Sequence, residues 1–174
     1  MSTENLKSNQ FHDVVRNSEI NDYIEKSLDN DPNEEFLYLE FGVFTGLSTS
    51  IFSSRVRKLY AFDSYEGLRE DWVGSIFPKG SFNLNKKVPN LDKNVVPVVG
   101  WVQDTLDDFL AKNSKKINFV HMDLDSYESS LFVLKKIKNQ LANDAVILFD
   151  QLYNFLGWEH GEYKAFKEVF DENE

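Results

Sequence analysis

Five short runs constrain the fold more than anything else in the chain: FLYLEFGVF (residues 36–44), KLYAFD (58–63), VVPVVG (95–100), INFVHMDLD (117–125) and DAVILFD (144–150). Each is nearly continuous in apolar residues rather than alternating. A strand with that pattern is buried on both faces, which is the condition of a parallel sheet covered by helices on either side. Between the runs, residues 47–55, TLDDFLAK (105–112) and YESSLFVLKKIKNQL (127–141) have helical spacing. Strand and helix alternate, and the short crossovers they need are right-handed. The expected fold class is therefore α/β, a Rossmann-like doubly wound, mostly parallel sheet with helices on both faces. Ligands in such sheets bind at the carboxyl ends of the strands.

One domain is expected, because 174 residues with 41% apolar composition fill one core. Ahead of it, SEINDYIEKSLDNDP places Ile20, Tyr23, Ile24 and Leu28 on one helical face, with Ser18 as cap and Pro32 as stop. Residues 1–35 are thus read as an N-terminal helical segment and residues 36–174 as the domain. The stretch 64–94 is rich in glycine, proline and aromatic residues without periodicity, and is expected to be a lid or a substrate-facing insert.

The strand ends bring Glu40, Asp63, Gly100, Asp123 and Asp150 to one edge of the sheet. Any one acid after a strand is easily explained as a turn or helix cap. Four together at the ligand-binding edge point to chemistry. Gly42 and Gly46 frame a loop that resembles the dinucleotide fingerprint, but Phe44 occupies the place of its middle glycine. A phenylalanine there obstructs a pyrophosphate, and a neighbouring carboxylate repels it. S-adenosylmethionine, with a ribose, a sulfonium and an ammonium but no phosphate, suits the acids better. Asp63 stands about 20 residues after Gly42, the spacing of an acid that binds both ribose hydroxyls.

Asp123, Asp150 and Gln151 offer oxygen donors suited to Mg2+, with a charged, wet rim holding no metal as the equal alternative. No histidine and cysteine cluster is present for zinc, and no P-loop or serine-hydrolase elbow. His121, at the end of an apolar strand, is expected to be a structural, hydrogen-bonded histidine. His160, in GWEHGEYKAF, is placed where it could accept a proton from a substrate hydroxyl.

A formal charge of −10 without a basic stripe argues against nucleic acid and anionic membranes as partners. The absence of cysteine is compatible with any compartment, and the polar N-terminus without an apolar h-region, with no long apolar run elsewhere, makes a cytoplasmic location the expectation.

LEFGVFTGLSTS, AFDSYEGLREDW, HMDLDSYESSLFVLKKIKNQL and ILFDQLYNFLGWEHGEYKAF, in that order and spacing over residues 36–170, resemble class I S-adenosylmethionine-dependent methyltransferases, most closely the macrocin O-methyltransferase group. The resemblance implies that Glu40, Gly42 and Gly46, with the loop hydroxyls Thr45 and Ser48, frame the methionine end of the cofactor. It implies that Asp63, with Ser64, is the ribose acid, and that Trp101 and Asp104 lie near the adenine. Asp123 would face both the cofactor and the metal, and Asp150 and Gln151 would complete the Mg2+ ligands, although macrocin-type enzymes usually have an acid at the Gln151 position. Catechol-type relatives place a lysine base where this chain has Ser126, so Asp125 and His160 are the candidate bases.

The family's sheet usually closes with two further strands, which the residues after Asp150 leave no room for. Either the chain is a minimal, truncated or fragmentary form, or the edge so exposed is covered by the N-terminal segment or by a second copy, a homodimer. The function implied is methyl transfer to a small-molecule or sugar hydroxyl. The rival expectation is a non-catalytic methyltransferase-fold module that assembles with a partner.

Overall fold

The computed structural model describes residues 35–170, so the helix expected ahead of Pro32 lies outside the described residues. Five strands, β1 (Phe36–Phe41), β2 (Leu59–Asp63), β3 (Val95–Val99), β4 (Lys116–Met122) and β5 (Leu141–Phe149), form one sheet in the order β3-β2-β1-β4-β5. All four pairings are parallel, with Leu39 of β1 set between Tyr60 of β2 and Val120 of β4. The chain runs outward from β1 to β3 and then returns to β4 on its other side. The carboxyl ends of β1 and β4 thus form the topological switch point at which a doubly wound sheet opens a crevice.

The helices are α1 (Leu47–Ser53), α2 (Val102–Lys112), α3 (Tyr127–Ile137) and α4 (Glu162–Val169). Leu37, Leu39 and Phe41 of β1 meet Leu106 of α2, Val133 and Leu134 of α3 and Ala165 of α4 on one face. The intervening Tyr38 faces the other side, with Phe52 of α1 and Phe119 of β4. The sheet is therefore covered on both sides, as its double-sided apolar runs require. Residues 64–94 contain no helix; Leu84, Val88 and Leu91 of this loop cover the α1 face instead. Backbone bonds fix the loop from within, including Leu68 N–H to the Ser81 carbonyl at 2.9 Å and Gly80 N–H to that of Leu68 at 2.8 Å.

Boundaries differ from the sequence reading where side-chain and register effects intervene. The helix expected over 127–141 ends at Ile137, and a single 3-10 turn, residues 138–140, leads straight into β5. Gln140 stops the helix by donating through Nε2 to the carbonyls of Asn113 and Lys115, after which Leu141 pairs with Ile117. The ladder then skips from Leu141 to Val146, with Asp144 at φ 62° in the bulge. Among the described residues, no helix is long and apolar enough to cross a membrane.

Candidate active site

β1 stops at Phe41 because Gly42 turns away with φ +90° while its N–H still donates to the Phe62 carbonyl at 2.9 Å. A Cβ on Gly42 would lie 1.8 Å from the Asp123 carbonyl oxygen, so β4's end approaches as closely as only glycine permits. The loop that follows is held by one carboxylate. Asp63 Oδ2 accepts the N–H groups of Val43 (2.9 Å) and Phe44 (2.8 Å), and Oδ1 accepts that of Tyr65 (2.7 Å). These bonds hold both Phe44 and Tyr65 at positive φ, 48° and 57°. Gly46, at φ +85°, then starts α1 by accepting the Ser50 N–H.

Above the switch point lies a cavity of about 260 Å3. It is lined by Gly42, Asp63, Asp123, Asp125, Asp150 and Gln151. The long loop supplies Arg69, Trp72 and Phe82, and Trp101, the residue that caps α2, also lines the cavity. Phe44, rather than blocking the crevice, forms part of its wall and meets Phe82 edge to face at 5.4 Å. Among the described residues, four carboxylates and a single cation line the cavity. That cation, Arg69, donates to Gln103 Oε1 at 2.6 Å and lies 5.5 Å from the centre of the Trp101 ring.

The acids are placed by continuation of the sheet. Asp123 N–H donates to the Phe41 carbonyl (2.8 Å) and Asp150 N–H to that of Met122 (3.0 Å), so both stand one step beyond the last paired residues. Burial, with Asp150 nearby, pushes the Asp123 carboxyl up to about 6. Burial, with Asp123 and Asp150 beside it, pushes Asp125 up to about 7. Asp125 also sits at φ 57°, a left-handed conformation that aspartate enters more readily than most residues but at a cost in strain. Ligand atoms of His121, Asp123 and Asp150 lie within 4.8 Å of one another and could hold a metal ion. Gln151 Nε2 donates to Asp150 Oδ2 at 2.9 Å.

The structure brings Gly42, Asp63, Ser64, Trp101, Asp123, Asp125, Asp150 and Gln151 to one cavity. Others from the sequence reading do not line it. Glu40 is not at the strand's tip but inside the strand, fully buried, with Oε1 accepting from Ser48 Oγ (2.8 Å) and from His121 Nδ1 (3.1 Å). Its Oε2 has no hydrogen-bond partner among the described residues. Thr45 is exposed, Gly46 caps α1 and Ser48 lies in its first turn; none of the three lines the cavity. Asp104 is exposed in the first turn of α2 because Val102, Leu106 and Phe109 take the inward face. His160 is exposed on a 3-10 turn, residues 158–160, outside the cavity wall. The sequence reading did not assign Arg69 or Phe82; both come from the aperiodic loop, where no pattern marks them.

The methyltransferase-domain family matches residues 39–152, well over half of the chain and the whole of the switch point. A search of curated proteins found no significant match. Among solved structures, the calicheamicin methyltransferase CalS11 superposes with a TM-score of 0.69 at 22% identity, covering 93% of this chain and 76% of that one. The apo form of CalS11, described as a TDP-rhamnose 3′-O-methyltransferase, gives a TM-score of 0.59 at 21% identity with the same coverage. The O-methyltransferase NovP gives 0.59 at 18% identity, over 88% of this chain and 72% of that one. At these identities the likeness is one of fold. With the sequence match over the glycine loop and the acidic strand ends, it completes the assignment: this chain belongs to the methyltransferase-domain family.

Proposed function

We propose that the chain is an S-adenosylmethionine-dependent O-methyltransferase acting on a hydroxyl of a small molecule, a sugar or a secondary metabolite. The observation that carries this is the cavity at the β1/β4 switch point, walled by four carboxylates and one arginine. A pyrophosphate would be repelled there, whereas a ligand with a sulfonium and an ammonium is attracted. Asp63, at the end of β2, is the ribose acid of this reading: Oδ2 already accepts two loop N–H groups, while Oδ1 accepts one and keeps a lone pair for a ribose hydroxyl. The cofactor, when bound, supplies an electrophilic methyl group on sulfur.

The chain's residues position the acceptor and manage its proton. Asp125 lines the cavity and, as carboxylate, takes the hydroxyl proton; its raised pKa makes it a better base near neutrality than an ordinary aspartate. His160 lies outside the wall and has no comparable support. Asp123 and Asp150, with the Gln151 amide beside them, would hold Mg2+, which would polarise the acceptor oxygen. Trp72, Phe44 and Phe82 give the cavity an apolar wall against which an acceptor can pack. The hydroxyl-methylating structural neighbours, one described as acting on TDP-rhamnose, support the sugar-type acceptor.

A cytoplasmic location, a single domain over residues 36–174 and pairing of two copies belong to the same proposal. The pairing is supported by β3 and β5, each of which has one unpaired edge among the described residues. The test is methyl transfer from radiolabelled S-adenosylmethionine to a panel of sugars, nucleotide sugars and phenols, with Mg2+ or EDTA. Transfer that depends on Asp125 is the expected result. Tight cofactor binding without transfer to any acceptor would favour a non-catalytic binding module.

A further inference from the structure

Glu162, the first residue of α4, is a buried acid outside the cavity wall, with 4% of its surface exposed. A single oxygen, Oε1, accepts the Leu124 N–H at 3.2 Å and the Ser130 Oγ–H at 3.0 Å. Leu124 lies between the two cavity acids Asp123 and Asp125, and Ser130 lies in α3. One carboxyl oxygen therefore ties three elements together: α4, α3 and the turn that carries both acids. We infer that Glu162 is a positioning residue, which fixes the Asp123–Leu124–Asp125 turn and so sets where the two acidic side chains stand in the cavity. The inference rests on the methyltransferase reading for its catalytic consequence, though not for the clamp itself.

Two independent observations favour this over a role in stability. First, Asp125 is held at φ 57°. A non-glycine residue there is strained and persists only where its neighbours are fixed. Asp123 N–H is fixed to the Phe41 carbonyl on one side and Ser130 N–H to the Ser126 carbonyl on the other, and Leu124 N–H between them is fixed by Glu162. Second, a carboxyl group is a poor choice for filling a buried site. Burial and the neighbouring Asp123 and Asp125 raise its pKa well above the ordinary glutamate value, against the lowering effect of its two hydrogen bonds. A leucine or methionine of similar volume would avoid that desolvation cost, as buried polar groups replaced by apolar ones often show. What the apolar residue cannot do is accept the Leu124 N–H.

The test compares Glu162→Gln, whose amide oxygen keeps the acceptor, with Glu162→Met, which keeps the volume and loses it. Amide hydrogen exchange and 15N–1H spectra of the Leu124 and Asp125 amides report the clamp without any need for activity. The expected result is wild-type exchange at Leu124 in Glu162→Gln and at least tenfold faster exchange in Glu162→Met, with a cooperative thermal transition in both. On any hydroxyl acceptor that the wild type methylates, kcat should fall about 10- to 100-fold in Glu162→Met, and Glu162→Gln should restore it. If Glu162→Met does not fold, Glu162→Leu, likewise apolar and without an acceptor, takes its place in both measurements. Unchanged Leu124 exchange in Glu162→Met, or equal losses in both Glu162 variants, overturns the inference. A wild type that neither binds the cofactor nor methylates any acceptor defeats the methyltransferase reading instead, and the exchange rates at Leu124 then decide the clamp by themselves.

Discussion

Gly42→Ala should disable the site through geometry alone. The added Cβ would fall 1.8 Å from the Asp123 carbonyl oxygen and 2.8 Å from its carbon, against a closest observed approach of 3.0 Å, so atoms must separate by about 1.2 Å. Neither partner is a flexible side chain: Gly42 N–H is bonded to the Phe62 carbonyl at 2.9 Å and Asp123 N–H to that of Phe41 at 2.8 Å. The positive φ of 90° adds ~1–2 kcal/mol of backbone strain for any L-residue. Together these predict a loss of at least ~3 kcal/mol, the scale of severe backbone and packing substitutions. For a chain of this size that lowers Tm by roughly 6–12 °C. It also moves Asp123 within the cavity, so S-adenosylhomocysteine affinity should drop more than tenfold. Gly80→Ala is the control. Gly80 has nearly the same φ, +85°, but nothing within 4 Å of its Cβ, so only the strain remains. It should cost about 1 kcal/mol, roughly 2–4 °C, with unchanged ligand affinity. Calorimetric titration and thermal melts of both variants decide the matter. Equal effects at the two glycines would refute the close approach of β1 and β4 as the reason for Gly42.

Asp63→Ala leaves three loop N–H groups, of Val43, Phe44 and Tyr65, without their acceptor; S-adenosylhomocysteine titration should show at least tenfold weaker binding, with Asp63→Asn intermediate. Asp123 and Asp125, with pKa values raised to about 6 and about 7, retain protons in the folded chain that the unfolded chain releases near 4. Their contribution to stability is complete below about pH 4 and is lost as pH rises through 6 to 7, which thermal melts across that range would register. Turnover should show the opposite trend, rising with pH as Asp125 gains its carboxylate form, with the limb displaced downward by added Mg2+. Asp150→Ala should abolish any dependence of turnover on Mg2+ and reduce the rate at least tenfold; wild-type activity undiminished in excess EDTA would remove the metal from the mechanism.

The parallel sheet was legible because both-face burial writes itself into sequence: Leu37, Leu39 and Phe41 serve one face while Tyr38 serves the other, which leaves no polar alternation. The glycine loop and Asp63, Asp123 and Asp150 were legible because strand ends in such a sheet converge on one edge. Glu40 was misplaced by a single step of the strand period. It is the penultimate residue of β1, so its side chain points under α1 toward Ser48 and His121, whereas Asp123 lies past the last strand residue and faces the cavity. The helix and strand around residue 141 were misread because side-chain bonds from Gln140 and a three-residue register skip, neither of which has a periodicity, decide the boundary. Arg69, Trp72 and Phe82 reach the cavity through a loop whose path is set by glycines such as Gly67 and by contacts distant in sequence. Glu162 is 38 residues from the amide it binds, and nothing local marks it.

A calorimetric titration of the 174-residue chain with S-adenosylhomocysteine, with and without Mg2+, tests the cofactor site most directly. The cavity of Gly42, Asp63 and the strand-end acids predicts one site of micromolar affinity, weakened in Asp63→Ala. A chain that is folded by its thermal transition yet gives no binding heat in either condition would contradict the methyltransferase function proposed for it.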